Sequence, residues 1–246
     1  MDANRIELAL GLGLAAALAN VLGGFFVVHR DWSRQFLKYF LAGGSGFMLG
    51  VVFLDIVPES TRLVGIESAM LCLLGGYFLI HLFEHALVPH FHFGEETHTH
   101  EVSHRHSGLT ALFGLAIHTF FDGVAIASGF LVSVSLGWVI FLAIALHKLP
   151  EGFAISSLMM ATGRGKRSAL WAAVILGIAT IAGVLLMSAL RADVQYALPL
   201  AGGVTLYVAA SDLIPEVNRE PGAPIAIMVF LGLASVFVVH RLFSIP

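Results

Sequence analysis

The sequence predicts an all-α integral membrane protein built from eight transmembrane helices. Composition is the first reason. Of 246 residues, 58% are hydrophobic and only 12% are charged, where a soluble domain carries about 25% charged residues. Mean hydropathy is +0.89. The second reason is length. A helix needs roughly 20 apolar residues to cross the hydrocarbon, and eight stretches qualify, near 5–28, 36–60, 67–89, 107–132, 136–161, 168–190, 196–217 and 224–243 (spans 1 to 8). They leave nothing for a separate soluble domain, so residues 1–246 read as a single transmembrane domain.

Span 1 follows a terminus that carries Asp2 and Glu7 besides Arg5, and its apolar run is longer than a signal-peptide core, so it reads as a true span. Orientation follows from Lys and Arg. With the N-terminus outside, the cytoplasmic loops hold Arg30, Arg34, Lys38, Arg105, Arg164, Lys166, Arg167 and Arg219, and the outer segments only Arg5, Arg62, Arg191 and Arg241. This bias places both termini outside. Cys72 stands alone, which excludes an internal disulfide.

Span 2 closes on Asp55-Ile56-Val57-Pro58-Glu59, and span 7 closes on Asp212-Leu213-Ile214-Pro215-Glu216. The two spans run in opposite directions and sit symmetrically among the eight. The pattern predicts an inverted repeat, spans 1–3 related to spans 6–8 around central spans 4 and 5. Acids near helix ends are also common as plain interfacial residues. Glycines 43, 44, 46 and 50 in span 2 and 202 and 203 in span 7 read as helix-packing positions.

Spans 4 and 5 carry the chemistry. Span 4 holds His118-Thr119-Phe120-Phe121-Asp122 and span 5 holds His147-Lys148-Leu149-Pro150-Glu151. An imidazole and a carboxylate four residues apart project from one helix face, about 6 Å apart in rise. Ionisable groups in hydrocarbon are expensive and mark ion pathways. Both motifs fall near mid-membrane in the topology above. Together they offer two imidazoles and two carboxylates, a set suited to a borderline metal such as zinc: the carboxylates neutralise a dication and the imidazoles favour transition metals over magnesium and calcium. His118, Asp122, His147 and Glu151 are therefore the expected metal ligands. Pro150 removes a helix bond and frees the carbonyl of Leu146, a break tolerated where it lines a cavity. Lys148 needs a counterion at that depth, and Glu151 and Asp122 are the candidates.

The one sizeable polar loop, 90–107, carries His90, His92, His98, His100, His104 and His106 among Glu95, Glu96 and Glu101. Such tracts bind metal with little geometric demand, and the loop falls on the cytoplasmic side. Asp55 and Glu59 are expected to concentrate cations at the outer mouth. His81, Glu84 and His85 of span 3, with Asp212 and Glu216 of span 7, are expected to mark the inner release route.

At these residues the chain resembles the Zrt/Irt-like (ZIP) family of divalent metal transporters. The resemblance covers nearly the whole length and rests on His118-Thr119-Phe120-Phe121-Asp122-Gly123, His147-Lys148-Leu149-Pro150-Glu151-Gly152 and the Leu206-Tyr207-Val208-Ala209-Ala210-Ser211-Asp212 run before Pro215-Glu216. It implies a carrier, not an enzyme, that moves a divalent metal (zinc foremost; iron, manganese or cadmium as alternatives) toward the cytoplasm by alternating access. It implies a metal cargo and no cofactor, a homodimer, and a plasma or bacterial inner membrane. Nucleic acid is not an expected partner. The family's two-metal centre uses an Asn on helix 4, a further ligand after the His on helix 5 and a Glu on helix 6. Here Thr119 and Lys148 stand at the first two places, and residues 168–190 contain no acid. The resemblance thus implies one metal site, with Lys148 substituting for the second ion. Two competing readings remain at this stage: a membrane di-iron lipid hydroxylase or desaturase, which would need more His-x-x-x-His boxes than the single His81/His85 pair, and a metal exporter.

Overall fold

The computed structural model describes residues 3–29, 34–87, 107–218 and 222–242. All regular structure among them is helical. Eight helices are long and apolar enough to span a membrane: α1 (Asn4–His29), α2 (Lys38–Val64), α3 (Ile66–His85), α4 (Gly108–Val132), α5 (Val134–Ala161), α6 (Lys166–Leu190), α7 (Val194–Asn218) and α8 (Ala223–Leu242). The chain is an all-α integral membrane protein. The spans expected from hydropathy are all present, their ends displaced by a few residues. Single residues join two pairs. Gly65, at φ +78°, breaks α2 from α3 and closes α2 through its N–H on the Thr61 carbonyl, a backbone that glycine adopts without strain. Ser133 is extended, and its side chain caps α5 by accepting from the Leu136 N–H at 3.1 Å.

Four helix pairs cross so closely that only glycine fits, and each crossing uses two glycines reciprocally. A Cβ on Gly46 of α2 would lie 2.0 Å from the Val229 carbonyl oxygen of α8, and one on Gly232 of α8 would lie 2.0 Å from that of Gly43. Gly76 of α3 meets Leu200 of α7 and Gly203 meets Leu73, both at 1.9 Å. Gly23 of α1 meets Leu149 of α5, and Gly152 meets Asn20. Gly123 of α4 meets Thr180 of α6, and Gly183 meets Phe120. Without a hydrophobic drive between helices in lipid, such approach supplies dispersion and Cα–H···O contacts instead.

These crossings display the inverted repeat. Exchanging α1 with α6, α2 with α7, α3 with α8 and α4 with α5 turns the α2–α8 crossing into α7–α3 and the α1–α5 crossing into α6–α4, glycine for glycine. The Asp-x-x-Pro-Glu segments correspond in the same way. Each begins within a π-helical turn, Val52–Ile56 in α2 and Val208–Leu213 in α7, that contains the aspartate. Pro58 and Pro215 cannot donate to the preceding turn. The widened turn reroutes the ladder, with Val57 N–H reaching Val52 O and Ile214 N–H reaching Ala209 O. The glycines of spans 2 and 7 thus do serve packing.

The crossings make a sharp prediction. Gly203→Ala forces α3 and α7 apart and should cost about 1–3 kcal/mol, whereas Gly11→Ala, with nothing within 4 Å of its Cβ, should be neutral or gain up to about 1 kcal/mol in helix propensity. Thermal unfolding of the two purified variants in detergent checks it; equal effects would refute the packing assignment.

Candidate metal centre

The central constellation assembles where α4 and α5 face each other. His118, Asp122, His147 and Glu151 each offer one donor atom, and the four atoms lie within 4.8 Å of one another. All four residues are buried. His118 Nε2 lies 3.1 Å from Asp122 Oδ2, and His147 Nε2 lies 3.3 Å from the same oxygen. The edge of a tetrahedron with metal–ligand bonds of 2.0–2.1 Å is about 3.3 Å, so these spacings already suit ligands around one small cation. His147 Nδ1 donates to the Ala143 carbonyl at 3.1 Å. Nε2 in turn lies within hydrogen-bond distance of Asp122 Oδ2; with the proton on Nδ1, the Nε2 lone pair would face the cluster, the tautomer that a metal requires.

Lys148 is wholly buried inside this cluster. Its Nζ lies 2.5 Å from Asp122 Oδ2 and 2.5 Å from Glu151 Oε2, so both expected counterions are engaged. It also donates to Thr119 Oγ1 at 3.2 Å, and Thr119 donates in turn to Glu151 Oε1. Thr119 and Lys148 are pseudo-equivalent, as are His118 with His147 and Asp122 with Glu151, each pair separated by the same 29 positions. A buried carboxylate pair costs several kcal/mol per ion unless paired and hydrogen-bonded, and the ammonium and the threonine hydroxyl supply that pairing.

The outlying residues separate into two groups. Asp55 is buried, with Oδ1 2.8 Å from His240 Nε2 of α8. Glu59 pairs with Arg62 at 3.1 Å one turn along α2. At the opposite repeat, Glu84 Oε2 accepts from the Tyr207 hydroxyl at 2.7 Å, and Tyr77 and Ser211 share a hydrogen bond of 2.9 Å. Asp212 is buried within electrostatic reach of Glu84. His81 and His85 lie on the exposed side of α3, their rings 4.1 Å apart and His85 Nδ1 2.9 Å from the His81 carbonyl. Glu216 is half-buried one turn beyond Asp212. His90, His92, His98, His100, His104 and His106 lie outside the described residues. The sequence reading missed His240 and Tyr207. His240 was findable as an ionisable residue within a span, while Tyr207 carries no signal before its partner is known.

A bundle of eight spanning helices whose central pair buries two histidines, an aspartate and a glutamate close together has the form of a membrane carrier for metal cations. The family model described as ZIP Zinc transporter matches residues 90–240, and the chain belongs to that family. Its members are divalent-metal transporters and not enzymes, which sets the di-iron reading aside. Among relatives, the zinc transporter ZIP13 of Pongo abelii is 28% identical over 228 residues, covering 85% of this chain and 67% of the relative. The zinc transporter GufA of Myxococcus xanthus is 29% identical, covering 72% of each chain. The zinc transporter ZupT of Corynebacterium aurimucosum is 26% identical, covering 89% of this chain and 90% of the relative.

Removing the buried ammonium should expose its role. Lys148→Met leaves two buried carboxylates without a cation, a change that costs about 3–5 kcal/mol. The variant should melt well below the wild type without metal, and zinc should raise its melting temperature more than it raises that of the wild type. A melting curve unchanged by the substitution would refute the assignment.

Proposed function

We propose that the protein carries a divalent transition metal, zinc foremost, toward the cytoplasm by alternating access, with His118, Asp122, His147 and Glu151 as the central substrate site. The observation that carries the reading is the clustering of four buried donors within 4.8 Å of one another between α4 and α5. Two imidazoles favour zinc, iron or cobalt over magnesium and calcium, and the absence of thiolate from the set keeps binding weak enough for release. The names of the zinc-transporting relatives favour zinc among these. Lys148 takes the place of a second cation, so the centre holds one metal at a time. Asp55 and Glu59 serve the outer mouth, and Glu84, Asp212 and Glu216, with His81 and His85 beside them, serve the inner one. Both termini face outside, and the protein works as a homodimer in a plasma or bacterial inner membrane. The His90–His106 tract tunes release or senses cytosolic metal without being needed for passage.

Uptake into proteoliposomes tests the reading. His118→Ala and Glu151→Ala should each abolish most zinc uptake with normal insertion, and near-normal rates in both would overturn it. With residues 95–105 deleted, basal uptake should persist, and anomalous diffraction should find one metal ion at the core. Two ions there, or complete loss of uptake in a well-folded deletion protein, would contradict the assignment of Lys148 or of the loop respectively.

A further inference from the structure

The two ends of the route occupy one position of the repeat and differ in chemistry. The exchange that carries α2 onto α7 takes Asp55 to Asp212, Pro58 to Pro215 and Glu59 to Glu216. The companion exchange of α8 with α3, registered on Gly232 and Gly76, takes His240 to Glu84. The same place therefore holds a carboxylate and an imidazole at one end and two carboxylates at the other. At the first end, Asp55 Oδ1 and His240 Nε2 are 2.8 Å apart, with side chains 5% and 17% exposed. The second oxygen of Asp55 is buried and has no hydrogen-bond partner among the described residues. At the second end, Asp212 Oδ1 is likewise buried without one, and Glu84 is engaged by Tyr207. Tyr207 corresponds to Gly50 of α2, so the first end has no hydroxyl at that position.

We propose that Asp55 and His240 form a substrate site of their own, where a divalent transition metal rests before reaching the centre, and that Glu84 and Asp212 form its weaker counterpart for departure. The proposal rests on the reading of the central cluster as a metal site. Imidazole nitrogen favours borderline metals, and carboxylate oxygen alone favours harder ions. A zinc-like cation is thus held more firmly where an imidazole faces the aspartate than where a second carboxylate does, the His81 and His85 rings lying on the exposed side of α3 rather than facing Asp212. At the departure end the Tyr207 hydroxyl takes back Glu84 as the metal leaves. This polarity is built into side chains and is independent of the loop charges.

A structural tether between α2 and α8 would also place His240 beside Asp55, and the test separates the two. His240→Gln keeps a donor for Asp55 but loses the metal-binding nitrogen, and His240→Cys keeps a metal ligand but not the tether. Zinc and cadmium uptake is measured in proteoliposomes. His240→Gln should raise the apparent KM for zinc about tenfold, the scale of losing a positioned metal contact, with maximal rate retained. His240→Cys should keep the zinc KM near wild type and lower that for cadmium. Independently, Glu84→His should lower maximal rate with KM unchanged, by retaining metal at the departure end. A wild-type KM in His240→Gln, or equal behaviour of the Gln and Cys variants, overturns the proposal. So does an unchanged maximal rate in Glu84→His, which remains measurable should the His240 variants fail to insert. His118→Ala serves as reference. If it has lost uptake while His240→Gln behaves as wild type, only this inference fails; if it transports normally, the central reading fails with it.

Discussion

Two carboxylates buried in the middle of an apolar bundle set the terms for the rest of the molecule. Asp122 and Glu151 are shut off from solvent, and ions so placed cost several kcal/mol each. An ammonium at 2.5 Å from each returns on the order of 7 kcal/mol per contact at an effective dielectric near 20, enough to offset the cost if α4 and α5 stay in position. The residue after each carboxylate sees to that. Gly123 seats α4 against α6 and Gly152 seats α5 against α1. Each half of the charged cluster is thereby held from behind by a flanking helix, and the electrostatics of the centre and the packing of the flanks are one construction.

The repeat keeps its backbone and varies its side chains. Crossing glycines, π-helical turns, prolines and aspartates recur in both halves, so both halves can undergo the same movements. Thr119 against Lys148, Gly50 against Tyr207 and His240 against Glu84 do not recur. A carrier symmetric in every ligand would treat its two faces alike. On the proposed reading, the last two differences are what can make one face a better donor of metal to the centre than the other.

Much of this was readable from the chain, for identifiable reasons. Spans follow from apolar length, and the buried His118, Asp122, His147 and Glu151 cluster follows from two i, i+4 pairs at matched depth. Lys148 was readable as needing an acid, and the structure gives it both. Glycine clusters announce close packing, but not which carbonyl each glycine meets. Pro58 and Pro215 announce a broken helix bond, but a π-turn and a kink are equal answers to a missing N–H until the neighbours are in place. His240 was hidden in the last turn of an apolar span next to Arg241, where polar residues usually mean only the interface. Its partner lies far away in sequence, across a crossing that hydropathy does not register.

The charge of the centre explains why a lysine suits a carrier. With neutral imidazoles, two carboxylates and one ammonium leave the empty cluster at a net charge of −1, and a bound dication takes it to +1. The two states are equal in magnitude, so neither is strongly favoured by the cost of burying charge, which does not depend on sign to first order. The same ligands without Lys148 would pass from −2 to 0. The loaded state would then be held by the full penalty of exposing a doubly negative cavity, and metal would enter readily and leave with difficulty. On the proposed reading, Lys148 therefore does more than fill the space of an absent second ion. It brings the loaded and empty centres toward equal cost, the condition under which a single site can bind at one face and release at the other.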